Sequence, residues 1–360
     1  MRLYMNPLRG RGLSNPDALV AGETASDPTR ALKLLSSCPV YSATPLLARE
    51  GLSKSLGLSA LHVKDERSRM GLGSFKALGA SFAIAVLAEQ RKGEKLLQPG
   101  VASEALDGET FVTASAGNHG LSVTAGARIF GAQAVIYLPE TAPMGFAGRL
   151  RDRGAEVIIK GADYEGAMAA AAEAAESNGW RLLSDSTWDD YDVGQTVMEG
   201  YLAMGAEAVD QIPNPPTHIF LQAGVGGLAA AMAASFRRAW GDAPTIVVVE
   251  PTEAPCMLES VKADGPAHAP GEVSNMGRLD CKDPSHIALK SLARDADAFI
   301  AITDDYAQQA VDFLMDDGLP TSPSGGAGFA GLMAARADQV LGLNAHSRAL
   351  VILSEAPADD

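Results

Sequence analysis

Short runs rich in β-branched residues alternate with alanine-rich segments along most of the 360 residues, and this alternation constrains the fold more than any single motif. The runs fall at 61–63, 110–113, 134–138, 156–159, 218–222, 245–249, 298–302 and 349–353, and they read as strands. Helical segments between them fall at 75–89, 120–130, 145–153, 164–178, 196–209, 228–238, 304–317 and 328–336. Strands alternating with helices predict an α/β protein whose parallel sheets are covered by helices on both faces. Hydrophobic residues make up 47% of the chain, which at this length exceeds what one core usually holds, so two lobes are expected.

Charge and spacing exclude several function classes. The net charge of −15 repels nucleic acid and anionic membranes, so neither is an expected partner. Apolar stretches are broken well before the roughly 18 residues that span a bilayer. Residues 1–30 are polar and lack a secretory pattern, which places the protein in the cytoplasm. Cys38, Cys256 and Cys281 are widely spaced with no CxxC pair, which fits a reducing compartment and provides no metal site.

Three segments form a chemical constellation. Lys76 lies in Gly73-Ser74-Phe75-Lys76-Ala77-Leu78-Gly79-Ala80; Ser115-Ala116-Gly117-Asn118-His119-Gly120 follows the apolar run at 110–113; and Gly224-Val225-Gly226-Gly227-Leu228 follows that at 218–222. A pyridoxal phosphate site needs one lysine for the cofactor aldehyde, a polar group beside the phenolic oxygen and a nest of amides around the phosphate. Lys76, Asn118 and the 224–228 loop are the candidates, since a glycine run between a strand and a helix is a phosphate cradle. The GxGG spacing fits a dinucleotide site poorly, although Glu250 stands at about the distance at which such a site carries an acid.

Around Lys76, Gly71, Gly73, Gly79 and Ala80 are read as keeping bulk away from a flat ring. Ser115, Ala116, Gly117 and His119 are read as a substrate-carboxylate loop at a helix N-terminus. Ser354, at the end of the strand at 349–353, is read as a partner for the pyridine nitrogen, and Asp304 as a helix N-cap.

These residues resemble the fold type II pyridoxal phosphate enzymes, a tryptophan synthase β-like group with threonine dehydratases and cysteine synthases, over most of the chain from Ala43-Thr44-Pro45-Leu46 to Ser354. Within that group, residues 63–72 (VKDERSRMGL), Asp185-Ser186-Thr187-Trp188-Asp189-Asp190-Tyr191, Met276-Gly277-Arg278-Leu279-Asp280-Cys281 and Ser354-Glu355 resemble the diaminopropionate ammonia-lyases. The resemblance implies pyridoxal 5'-phosphate as cofactor and a small amino acid as substrate. It implies that Lys76 holds the cofactor, Asn118 touches its ring oxygen and Gly224–Gly227 hold its phosphate.

It further implies Asp185 in the active site, a homodimer, and two parallel-sheet lobes with the cofactor between them, residues 1–77 with 180–360 around an inserted 78–179. The expected reaction is α,β-elimination from a β-substituted amino acid, diaminopropionate first, with a serine, threonine or hydroxyaspartate dehydratase as the alternative. A non-catalytic cofactor-binding regulator is the reading outside enzymes. Ala116 replaces the aspartate that this family uses against D-substrates, so an L-substrate with Lys76 as base is expected. Ser324-Gly325-Gly326-Ala327 also departs from a segment that usually begins Glu-Ser-Gly.

Overall fold

A computed structural model describes residues 1–98, 100–115, 117–142 and 144–357. In chain order the strands are β1 (Arg2–Met5), β2 (Leu46–Ala48), β3 (Ala60–Asp65), β4 (Thr110–Ala114), β5 (Gln133–Leu138), β6 (Glu156–Ile159), β7 (Arg181–Leu182), β8 (His218–Gln222), β9 (Thr245–Pro251), β10 (Ala298–Ile302) and β11 (Arg348–Leu353). Among the described residues these form a seven-stranded sheet ordered β1-β10-β9-β8-β11-β3-β2 and a four-stranded sheet ordered β6-β5-β4-β7. All eight expected strands form. The inner pairings of the large sheet are parallel and only its edges β1 and β2 are antiparallel.

Alternate residues of the large sheet explain why its strands read as unbroken apolar runs. Ile219, Leu221, Ile246, Val248, Leu350 and Ile352 enter one hydrophobic cluster, while Phe220, Val247, Val249, Ala349 and Val351 enter another on the opposite face. A strand buried on both faces has no polar side to show. The first face is covered by helices that include Lys76–Lys92, Gly194–Gln211 and Gly227–Trp240; the second by Asp304–Asp316 and Pro323–Ala337. The small sheet is covered in part by Tyr164–Asn178, whose Ala167, Ala170 and Ala171 pack against Val112, Val135 and Tyr137.

Helices Lys76–Lys92 and Gly194–Gln211 approach closely because a glycine on each stands at the contact. A Cβ on Gly79 would come within 2.6 Å of Tyr201 Cε1, and one on Gly200 within 2.5 Å of the Leu78 carbonyl oxygen. Gly79 therefore serves helix packing rather than room for a ring, which corrects that part of the sequence reading. Asp304 is the first residue of its helix, and Thr303 holds the cap position. Its carboxylate accepts from Ser274 Oγ at 2.6 Å and Asn275 N at 2.8 Å, so it anchors a loop instead of capping a helix.

Among the described residues no helix is long and apolar enough to cross a membrane. Cys38, Cys256 and Cys281 are free thiols.

Candidate active site

The neighbours β8, β11 and β3 all point their carboxyl ends at one crevice, where open parallel sheets bind ligands. From β3 the chain turns through Glu66–Phe75 into the helix that opens with Lys76. This turn is fixed to the end of β11: Phe75 N donates to the Ser354 carbonyl at 3.0 Å, and Ser74 bridges Glu355.

A buried ionic network holds the same turn from below. Arg69 is fully buried and donates to Glu66 Oε2 and Oε1, both at 2.7 Å, and to Glu207 Oε1 and Oε2 at 2.8 and 2.7 Å. Lys64 adds a 2.6 Å contact to Glu207 Oε2, and Thr44 Oγ1 donates to Glu66 Oε1 at 2.5 Å. The charged run before the lysine is thus internal scaffolding, which its polar composition alone does not reveal.

Lys76 Nζ pairs with Asp185 Oδ2 and lies 5.4 Å from the centre of the Phe75 ring. Asp185 comes from the segment after β7, more than a hundred residues away, and so brings the two sheets' connections to one point. Burial acts to lower the Lys76 pKa, but the Asp185 charge overrides it and holds the ammonium above its usual range. For Asp185, burial acts upward, and the opposing charge of Lys76 overrides it and holds the carboxyl well below its usual range.

Tyr201 completes this corner, its ring 4.8 Å from that of Phe75 and its buried hydroxyl against Lys76. Burial raises the phenol pKa, so it is neutral.

The loop after β8 forms the glycine cradle. Gly226 has φ +97°, the left-handed region, and a Cβ there would lie 2.3 Å from Met257 Cε. A Cβ on Gly224 would lie 3.0 Å from Cys281 Sγ, a thiol that burial pushes up to about 12. Helix Gly227–Trp240 starts in this loop, so its first amides face the crevice, with Leu228 buried in the core behind. The Val225 carbonyl accepts from Ser285 N at 3.0 Å, which fixes the loop's outer side.

After β4, Ser115 Oγ accepts from Gly117 N at 3.2 Å and Gly120 N at 3.0 Å, and helix Asn118–Ile129 begins. Ala116, expected at the substrate, lies outside the described residues. Asn118 Nδ2 donates to Glu355 Oε2 at 2.6 Å. His119 faces inward, its Nε2 2.8 Å from the Leu183 carbonyl and its buried Nδ1 unpartnered. Burial, the largest effect, lowers its pKa and keeps the ring neutral.

Ser354 is buried at the end of β11, its N donating to the Gly325 carbonyl at 3.3 Å. Sequence reasoning gave no role to Glu355, Arg278 or Tyr201, which meet the site from 355, 278 and 201. Only the resemblance of the short segments around Glu355 and Arg278 marked the first two.

The donor set suits a phosphorylated aldehyde: an amine beside a carboxylate, a glycine loop packed too closely on its neighbours to admit a Cβ at Gly224 or Gly226, and a buried Ser74 hydroxyl with no partner. The profile of the pyridoxal-phosphate dependent enzymes matches residues 38–355, and the chain belongs to that family. It is 35% identical over 282 residues to a diaminopropionate ammonia-lyase from Salmonella typhimurium, across 74% of this chain and 70% of that one.

An L-threonine dehydratase from Staphylococcus aureus is 29% identical across 77% of this chain and 73% of that one. The crystal structure of Escherichia coli diaminopropionate ammonia lyase in complex with D-serine has a TM-score of 0.88 at 26% identity, covering 99% and 93% of the two chains. The protein is an enzyme of the fold type II class and uses pyridoxal phosphate.

Proposed function

We propose that this enzyme eliminates the β-amino group of a small L-amino acid, 2,3-diaminopropionate, as ammonia, and that water converts the released aminoacrylate to pyruvate and a second ammonia. The observation that carries the reading is the Lys76–Asp185 pair beside the glycine cradle. Lys76 would hold the cofactor, with Asn118 at its ring oxygen, Gly224, Val225, Gly226, Gly227 and Leu228 around its phosphate, and Ser354 at its ring nitrogen. Pyridoxal phosphate, when bound, supplies an aldehyde for an amine and a conjugated ring that takes up the electron pair left at Cα.

Lys76 serves as the base once its charge is neutralised, because burial then favours the uncharged amine. Asp185 loses its counter-charge when Lys76 is engaged, and the remaining effect of burial raises its affinity for a proton. It can then keep a β-ammonium protonated until it leaves. Ser115, Gly117 and His119 line the carboxylate side, and the residue at position 116 of the same run is alanine. Alanine has no group that accepts a proton, so only the Lys76 side of the substrate can be deprotonated, and the L-isomer is preferred.

A second reading, a dehydratase for serine, threonine or hydroxyaspartate, is favoured by the threonine dehydratase likeness. We further propose a cytoplasmic homodimer with two lobes, residues 1–77 with 180–360 around 78–179. The test is 2-oxo acid release by the cofactor-loaded enzyme from L- and D-diaminopropionate, L-serine, L-threonine and hydroxyaspartates. Turnover of L-diaminopropionate supports the lyase, turnover of hydroxy amino acids alone moves the assignment to a dehydratase, and turnover of none contradicts both.

A further inference from the structure

One cation in the crevice has no part in the scheme above. The Arg278 backbone is held at its N, which donates to Ser324 Oγ at 3.1 Å, and its carbonyl oxygen packs close to Gly224, 3.2 Å from where a Cβ there would stand. Its side chain crosses to the other wall, where Nε lies 3.6 Å from the place of a Cβ on Gly117. Nη1 donates to Glu355 Oε1 at 2.5 Å.

This ion pair is lopsided. The Glu355 side chain is 4% exposed and also takes hydrogen bonds from Asn118 and Ser322, whereas the Arg278 side chain is 31% exposed. A guanidinium carries five N–H donors, and Glu355 uses one. The remaining donors have no partner among the described residues and lie beside the Gly117 step. An arginine fork with free donors, held in a fixed direction by a buried carboxylate, matches an incoming carboxylate in geometry and charge.

We propose that Arg278 receives a carboxylate of the amino-acid substrate, facing the amides that open helix Asn118–Ile129 and closing the crevice over it. The proposal rests on the amino-acid reading above. The carboxylate is either the α-group that every substrate carries or the side-chain group of a 3-substituted aspartate.

The test uses cofactor-loaded wild type, Arg278→Gln and Arg278→Lys. KM and kcat are measured for L-diaminopropionate, L-serine and L-threo-3-hydroxyaspartate, and binding of the unreactive α-methylserine is followed by the change in cofactor absorbance. Arg278→Gln is expected to take up cofactor normally and to raise KM about 10- to 100-fold with a smaller change in kcat, the loss of one charge-assisted contact. Arg278→Lys is expected to recover part of the loss.

An equal loss for all substrates, with weakened α-methylserine binding, assigns the α-carboxylate; a loss confined to hydroxyaspartate assigns the side-chain group. KM and α-methylserine affinity changed less than threefold in both variants would overturn the proposal and leave Arg278 as a counter-ion for Glu355. Wild-type enzyme that takes up cofactor and turns over none of the three contradicts the amino-acid reading instead, a result separable from the Arg278 variants because α-methylserine binding needs no turnover.

Discussion

Asn118 donates its side-chain amide to Glu355 Oε2 at 2.6 Å, tying the helix after β4 of the small sheet to the segment just past β11 of the large one. One amide hydrogen is thereby committed, and the other is aimed by it. Glu355 also receives Arg278 and Ser322, so a single buried carboxylate sets three groups around the crevice. Glu355→Ala is expected to lower kcat about 100-fold, the scale of a misplaced active-site group, without unfolding the chain. Steady-state kinetics beside circular dichroism checks this, and unchanged kcat would remove Glu355 from any positioning role.

Replacing Asp185 by Asn keeps the shape of the side chain and removes its capacity to hold a proton. Elimination of an amine should fall by about 10²- to 10⁴-fold, the worth of one general acid. Elimination of a hydroxyl, tested with L-serine, should fall much less. Equal losses for both substrates would mean that Asp185 acts on Lys76 alone.

The Arg69–Glu66–Glu207–Lys64 network is fully or almost fully buried, so removing one member leaves an uncompensated charge inside. Arg69→Ala is expected to cost about 3–5 kcal/mol in stability. Chemical denaturation measures it, and a loss below 1 kcal/mol would show that water reaches the network.

Glu250 predicts a pH effect. It is fully buried at the end of β9, and burial raises its pKa from 4.5 to about 8, while amide donors from Met257 and Leu258 at 2.7 and 2.9 Å act the other way. A carboxyl whose folded pKa is raised binds a proton in the folded state that the unfolded state has already lost. Its contribution to stability is therefore present below about pH 4.5 and is lost as the pH rises toward about 8. Glu250→Gln should flatten this slope in melting temperature against pH. An unchanged slope would place the titration elsewhere.

The fold was legible where one side-chain type repeats. Val247, Val248 and Val249 lie in a strand buried on both faces, so no polar residue interrupts the run. The edge strand β1 was not, because Arg2–Met5 is half exposed and reads like any short polar terminus. Helix Cys256–Ala263 escaped for a related reason, being only eight residues with mixed composition.

In the site, Lys76 and the glycine loop at 224–227 stood out because each carries its own local context. Tyr201, Arg278 and Glu355 did not, since each acts through partners far away in the chain: Tyr201 through Phe75 and Gly79, Arg278 and Glu355 through each other. Asp304 was assigned to the wrong task because its first-turn position hides its contacts to Ser274 and Asn275.

The central claim is that Lys76 carries the cofactor. Borohydride reduction of the loaded enzyme, followed by proteolysis and mass spectrometry, locates the lysine bound to it. The account predicts the reduced pyridoxyl group on the peptide containing Lys76 and its absence from Lys76→Ala. The group on any other lysine, or on none, would contradict it.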